Sequence, residues 1–109
     1  MPFDENLADR IRPLLLGPYS VKEKRMFGGL AFMVNGHMCC GVSSKNLVVR
    51  TGPQDFDLVL SLDHARPMDF TGRPMKGFVY VAPEGCDTDK DLMAWTKRGL
   101  DFVLRLPPK

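Results

Sequence analysis

Two histidines and three cysteines are the side chains of this sequence best suited to holding a metal ion. His37 and Cys39 stand two positions apart, so they would share one face of a strand. Cys86 and Asp87 could supply further ligands from a loop. The spacing matches no recognised zinc pattern, and adjacent Cys39 and Cys40 would point to opposite faces of a regular strand. We therefore expect no metal and no other cofactor, and we interpret the cysteines as small core residues.

The pair of His37 and Cys39 is also the candidate for nucleophilic catalysis. Side chains two positions apart on a strand lie ~6.5 to 7 Å apart, which is too far for direct proton transfer. Gly28-Gly29 could offer backbone N–H groups to an anion, but it lacks the strand, glycine-rich loop and helix of phosphate-binding motifs. This glycine pair predicts a β-bulge instead. The sequence therefore predicts no catalytic residues and a protein that is not an enzyme.

Basic side chains on predicted strands and turns form another candidate site. They are Lys22, Lys24, Arg25, Arg50, Arg73 and Lys76. Gathered at one edge of a sheet, they could bind nucleic acid or an acidic protein, although lysine on an edge strand also serves to block aggregation. The net charge of +2 gives no strong overall field toward nucleic acid or an anionic membrane.

Length and composition indicate one globular domain over residues 1–109. The chain is 44% hydrophobic and 26% charged, which is ordinary for a folded protein. No apolar run reaches the ~18 residues of a membrane span, and the first residues lack the pattern of a signal peptide. The odd number of cysteines fits free thiols in the cytoplasm. We expect a cytoplasmic protein with no membrane partner.

Helical patterns occur in three places. The first helix has Asp4 as its cap and conflicts with Pro13, the second begins at Gly52-Pro53, and Thr88 with Asp91 starts the third. Their apolar stripes are Leu7, Ile11, Leu14 and Leu15, then Phe56, Val59 and Leu60, then Leu92, Trp95, Phe102, Val103 and Leu106. These stripes predict helices laid on a sheet.

The sheet is predicted from the hairpin at Asn35-Gly36, the strongest short signal in the chain. A two-residue turn there would place Val34 opposite His37, Met33 opposite Met38, Phe32 opposite Cys39 and Ala31 opposite Cys40. Strand patterns continue at 47–50, and a second hairpin is predicted at 67–81, with its turn at 71–74. The sequence thus predicts an α+β fold of two layers, with an antiparallel sheet of about five strands, helices on one face, and the order α-β(3)-α-β(2)-α.

The first hairpin carries apolar residues on both faces, whereas a sheet with one wet face should alternate with polar residues. The second face could be covered within the chain, by another copy in a homodimer, or by a protein partner. Methionine-rich apolar surface suits partner binding. The predicted interface residues are Met33, Met38, Phe32 and Cys40.

Several strings resemble the N-terminal domain of the TfoX/Sxy family. They include the structural motif Met26, Phe27, Gly28 and Gly29, the Asn35-Gly36 hairpin, and the segments 47–50, 74–78 and 92–99. The resemblance implies a helix, three strands, a helix, two strands and a helix. Family members include regulators of competence for DNA uptake that continue into a second, helical domain. We expect a stand-alone version without that domain.

Binding, not catalysis, is therefore the expected activity. The leading hypothesis is a regulatory or accessory module that contacts a protein partner or a second copy of itself, in transcription or competence regulation as the resemblance implies. One alternative is nucleic-acid binding through the basic residues. Another is a small-ligand site, which a deep pocket containing Arg25 or His37 would favour.

Overall fold

The first helix begins at a side-chain cap and ends at a proline. The computed structural model describes residues 3–26, 28–69 and 76–107. In it, Asp4 accepts hydrogen bonds from the backbone N–H groups of Asn6 at 3.0 Å and Leu7 at 3.2 Å, which confirms the predicted cap of α1 (Glu5–Ile11). A 3-10 turn follows at Arg12–Leu15. Pro13 causes this change of helix type, because it has no N–H to continue the α-helical ladder.

Within the described ranges, six strands form one antiparallel sheet. They are β1 (Val21–Met26), β2 (Gly29–Val34), β3 (His37–Ser43), β4 (Asn46–Arg50), β5 (Ala65–Pro67) and β6 (Phe78–Val81). Their order across the sheet is β1-β2-β3-β4-β6-β5, and every neighbouring pair is antiparallel. The α+β class is confirmed, with one strand more than the predicted five and with four strands before the second helix.

The additional strand arises at the glycine pair that the sequence predicted to be a bulge. Met26 pairs with Gly29, so β1 and β2 are two strands of a tight hairpin and not one bent strand. Gly28 has φ of +69°, a left-handed conformation that glycine adopts without steric cost. The bulge prediction at Gly28-Gly29 was wrong, because the glycines reverse the chain. Phe27 lies outside the described residues.

The Asn35-Gly36 hairpin is confirmed, with φ of 52° and 86° at its two turn residues. Val34 pairs with His37 and Met33 with Met38, as predicted. The register then shifts, so that Phe32 faces Cys40 and Ala31 faces Gly41. The predicted pairs of Phe32 with Cys39 and Ala31 with Cys40 were therefore wrong. Cys39 is an extra residue in β3, and this bulge turns the residues beyond it to the other side of the sheet.

Two helices besides α1 complete the layer that covers the sheet: α2 (Phe56–Leu60) and α3 (Asp89–Val103). The predicted second helix was placed three residues too early, since 53–55 form a turn. Thr88 caps α3 by accepting a hydrogen bond from the Asp91 N–H at 3.1 Å, as predicted. The predicted turn at 71–74 lies outside the described residues. No helix in the described ranges is long and apolar enough to cross a membrane.

All three helices contribute to one main core on a single side of the sheet. Their buried side chains meet Phe32, Val34, Val42 and Val49 from the strands. A smaller cluster, built on Ala31, Met38, Val48, Met68 and Tyr80, lies on the other side, which we call the open face. The two-layer arrangement is thus as predicted, with an additional apolar patch on the open face.

Helix α3 contacts β3 most closely at the Cys39 bulge. A methyl group added to Gly99 would lie 2.5 Å from the Cys39 carbonyl oxygen and 3.4 Å from its sulfur. Real carbon and oxygen atoms do not approach so closely, so only glycine at this position lets the helix rest on the bulged strand. The bulge and Gly99 are therefore complementary parts of one contact.

We expect Gly99→Ala to lower the free energy of unfolding by about 1 to 3 kcal/mol, the range for overpacked sites. The sign is informative, because alanine inside a helix is otherwise favoured over glycine by about 1 kcal/mol. The control is Ala94→Gly on the exposed part of α3, where glycine should be the less stable residue. Urea unfolding monitored by circular dichroism measures both changes, and a stabilised Gly99→Ala protein would contradict the close contact.

Candidate binding surface

The centre of the open face is already covered within the chain. Met38 and Tyr80 are each 8% exposed, and Ala31, Val48 and Met68 are exposed by 1% or less. Met33 and Phe78 pack against this cluster and remain partly exposed. A large apolar surface of the kind that drives homodimer formation is thus missing from the described part of this face.

This arrangement changes the predicted interface. Phe32 and Cys40 lie in the main core beneath the helices, with exposures of 1% and 0%. Cys40 lies in the main core because the bulge at Cys39 turns its side chain away from the open face. Of the four predicted interface residues, Met33 is the one that the structure leaves partly at the surface.

Strand β1 forms one edge of the sheet, and all six of its residues are exposed. Lys22 pairs with Met33 and Lys24 with Ala31, which places both lysines on the open face. Glu23 pairs with Phe32 and therefore points to the helix side. The alternation of side chains thus separates the acid of β1 from its two lysines.

Glu23 is neutralised by Arg12, the first residue of the 3-10 turn that follows α1. Arg12 donates from Nε to Glu23 Oε2 at 2.7 Å and from its terminal nitrogen to Oε1 at 2.8 Å, and it also contacts Asp9. The hydrogen bonds from Arg12 lower the pKa of Glu23, although partial burial opposes them. No spacing rule connects positions 12 and 23, so sequence patterns could not find this pair.

Two hollows lie on either side of β1. The one on the open-face side has a volume of about 460 Å³ and is lined by Ser20, Lys22, Glu23, Lys24, Met33, Asn35 and Gly36. The one on the helix side has a volume of about 300 Å³, and its lining includes the apolar side chains of Leu16, Tyr19 and Val21. The open-face hollow therefore carries two lysines beside Glu23, and the helix-side hollow combines apolar side chains with the ion pair of Arg12 and Glu23.

Of the other predicted basic residues, Arg25 lies on β1 but faces the side opposite to Lys22 and Lys24. Arg25 lies 5.8 Å from the ring centre of Phe3, on the helix side. Arg50 lies three strands away, between the rings of Phe78 at 5.5 Å and Phe102 at 5.2 Å. Lys76 is exposed beside β6. The predicted single basic edge was therefore wrong for Arg50 and Lys76, and Arg73 lies outside the described residues.

Arg66 is a basic residue of the open face that the sequence analysis missed. It pairs with Tyr80 on β6, and its guanidinium lies 5.4 Å from the Tyr80 ring centre. The predicted hairpin began at Pro67, one residue too late to include Arg66. The strand alternation that places Ala65 toward the main core would have placed Arg66 on the open face.

His37 and the three cysteines, which the sequence analysis weighed for metal binding and catalysis, differ in their surroundings. His37 Nε2 lies 2.7 Å from the Pro107 carbonyl oxygen, whereas Cys39, Cys40 and Cys86 are buried free thiols. A hydrogen bond to Cys39 and burial raise the pKa of Cys40 well above its ordinary value, and burial also raises the pKa of Cys86. Among the described residues, no three histidine, cysteine or acidic side chains are placed to hold a metal ion.

Comparison with known families decides the relationship of the chain. The model of the TfoX N-terminal domain matches residues 14–103, which is most of the sequence. The chain belongs to the TfoX N-terminal domain family. Neither the curated proteins nor the solved structures yielded a match. The β1 edge and the hollows beside it are thus surface features of a TfoX N-terminal domain.

In this TfoX N-terminal domain, we expect Glu23→Gln to lower the free energy of unfolding at neutral pH by less than about 1 kcal/mol, because the ion pair is partly exposed. Since Arg12 lowers the pKa of Glu23, the contribution is fully present above the ordinary pKa of about 4.3 and is lost as the pH falls through the lowered value. Urea unfolding at several pH values measures the difference.

The control is Glu84→Gln, which removes the same charge from an exposed side chain that forms no ion pair with the described basic residues and should therefore change the stability less. A difference between the original protein and Glu23→Gln that stays constant from neutral pH down to about pH 3 would contradict the role of the charged pair.

Proposed function

We propose that this TfoX N-terminal domain is a non-enzymatic binding module that acts through contact with a protein partner at the β1 border of its open face. The observation that carries the proposal is the separation of charge along β1. Lys22 and Lys24 point to the open face and form no ion pair with the described acidic residues, whereas Glu23 is paired with Arg12 on the helix side. An acidic surface would complement them.

The partly exposed apolar side chains beside these lysines support a protein partner. Met33 lines the same hollow as Lys22 and Lys24, and Met26, at the end of β1, is 38% exposed. Protein interfaces combine such apolar contacts with a charged rim that steers the partner and fixes its orientation. Among the described residues the centre of the open face is covered within the chain, which supports a different protein over a second copy of the chain as the partner.

Nucleic acid is a weaker fit to the same surface. Binding of single strands relies on aromatic rings that are free to stack on bases. Tyr80 is nearly buried and carries Arg66 on its ring, and Phe78 carries Arg50. Two lysines would then make few phosphate contacts, and a net charge of +2 adds little attraction.

A regulatory or accessory role, in transcription or in competence for DNA uptake, is the part of this proposal that rests on family membership alone. The proposed compartment is the cytoplasm, where the three cysteines described as free thiols would stay reduced. The proposed binding surface does not depend on the regulatory role or on the compartment.

We expect the double variant Lys22→Glu/Lys24→Glu to lose its partner. Affinity capture from host cytosol should enrich a protein on the original chain, and the variant should retain it at least about tenfold less, because two like charges would replace two complementary contacts. The matched control is Lys45→Glu/Lys90→Glu, which makes the same charge change at two exposed positions away from β1. The captured protein is then purified and its affinity for all three chains is measured by calorimetry.

Equal binding of the purified protein to the original chain and to Lys22→Glu/Lys24→Glu would overturn the proposed surface. Capture that disappears after nuclease treatment, with salt-dependent retention on DNA or RNA, would replace the protein partner with nucleic acid. Turnover of a small molecule that depends on His37 or Arg25 would overturn the non-enzymatic assignment.

A further inference from the structure

Among the strands of the described residues, β1 has a neighbour on one side only, so half of its backbone groups have no partner in that sheet. The Asn35 N–H donates to the Ser20 carbonyl at 2.9 Å, so Ser20 and Asn35 are a hydrogen-bonded pair of the β1–β2 ladder. Because hydrogen-bonded and non-bonded pairs alternate in an antiparallel ladder, Lys22 and Lys24 bond to β2. The N–H and C=O groups of Val21, Glu23 and Arg25 are therefore directed at the free edge.

The two edges of the sheet differ in their capacity to accept another strand. Strand β5, at the far edge, has three residues and ends at Pro67. Strand β1 has six residues, contains no proline and pairs with β2 without a register shift. Proteins protect exposed edges by shortening them, by distorting them or by placing lysines on them. Strand β1 has only the lysines, which repel a like-charged strand but leave its backbone groups accessible to an acidic one.

A second copy of this chain is a poor occupant of that edge. If two β1 strands pair antiparallel in one continuous sheet, directly opposite residues share a face. With the two-fold axis at Glu23, Lys22 would lie opposite Lys24. With the axis at Lys22 or Lys24, that lysine would face its own copy. Like charges directly opposite each other destabilise a strand pair, so these registers oppose self-association and favour an acidic partner.

The two hollows define what each side of an added strand would meet. Every second side chain would lie beside Lys22 and Lys24 in the open-face hollow, where acidic residues fit. The side chains between them would lie on the helix side, where the hollow is lined by Leu16 and Val21 together with the ion pair of Arg12 and Glu23. That pair is already neutralised, and Leu16 and Val21 are 81% and 37% exposed. Apolar residues fit there. A strand that alternates acidic and apolar residues matches both hollows.

We propose that the partner supplies an extended segment in which acidic and apolar residues alternate, and that this segment adds to β1 as a seventh strand. Backbone hydrogen bonds to Val21, Glu23 and Arg25 provide the attachment, and the contacts to Lys22 and Lys24 set the register. This inference rests on the proposed function, because it names the chemistry of the contact at the same surface.

A synthetic peptide of about eight residues that alternates glutamate and valine is the probe, since strands of that length are common. We expect saturable binding by NMR titration and at least about tenfold slower amide hydrogen exchange at Val21, Glu23 and Arg25. The same peptide with N-methyl groups on alternate backbone nitrogens keeps its charge but loses donors, and it should bind at least about tenfold more weakly. Lys22→Glu/Lys24→Glu should weaken binding, whereas Lys45→Glu/Lys90→Glu should not.

A pair of variants tests the edge itself. Arg25→Pro and Arg25→Gln both remove one charge, but only the proline removes a backbone donor directed at the free edge, a position where edge strands tolerate proline. Arg25→Pro should bind the peptide at least about tenfold more weakly than Arg25→Gln does. Thermal unfolding establishes whether both variants are folded. If one variant does not fold, the N-methylated peptide tests the same hydrogen bonds on the original chain.

Equal affinity for the methylated and unmethylated peptides would overturn strand addition, since charge alone would then hold the probe. Absence of peptide binding would also overturn it, and if the purified partner still binds the original chain and is lost in Lys22→Glu/Lys24→Glu, the proposed function stands without this inference. If the peptide does not bind and the purified partner binds the original chain and Lys22→Glu/Lys24→Glu equally, the inference and the proposed function are both overturned.

Discussion

The contact between α3 and the bulged strand β3 is the constraint on which the rest of this domain depends. Gly99 lets the helix lie against the Cys39 carbonyl, and the extra residue at Cys39 turns Cys40 and Val42 toward the helices. One inserted residue therefore decides which side chains form the main core and which remain on the open face. Without it, the two cysteines would lie on opposite sides of the sheet, and the layer of helices would rest on a different surface.

The division of charge at β1 follows from the same two-layer construction. Because side chains alternate along a strand, the acid of β1 meets the helix layer, where Arg12 is available, and both lysines meet solvent on the open face. Arg12 itself is presented by the 3-10 turn that Pro13 imposes after α1. A local backbone effect near the start of the chain thus fixes the electrostatic character of the sheet edge.

Short-range patterns were sufficient for much of the fold. The Asp4 and Thr88 caps and the Asn35-Gly36 turn depend on neighbours within a few positions, and the structure confirms them. The helical stripes are confirmed in part, at Leu7 and Ile11 of α1 and at Leu92 and Val103 of α3, whereas Leu106 lies beyond α3. The bulge at Cys39 and the ion pair of Arg12 with Glu23 arise from packing between distant segments, which periodicity does not encode. Gly28-Gly29 was ambiguous for another reason, since glycine serves both bulges and reversals. The sequence therefore predicted Lys22, Lys24 and Met33 of the candidate surface but not the boundaries of that surface.

The ion pair of Arg12 with Glu23 has a further consequence for molecular recognition. It ties the outermost strand to the helical layer by two hydrogen bonds of 2.7 and 2.8 Å. Such a brace restrains fraying, so the strand is preorganised before any ligand arrives. The entropy lost on docking then falls mainly on the incoming segment, which makes affinity depend on how readily that segment becomes extended. Rigidity at this border would thus allow the domain to discriminate among flexible sequences by their conformational preference as well as by their charge.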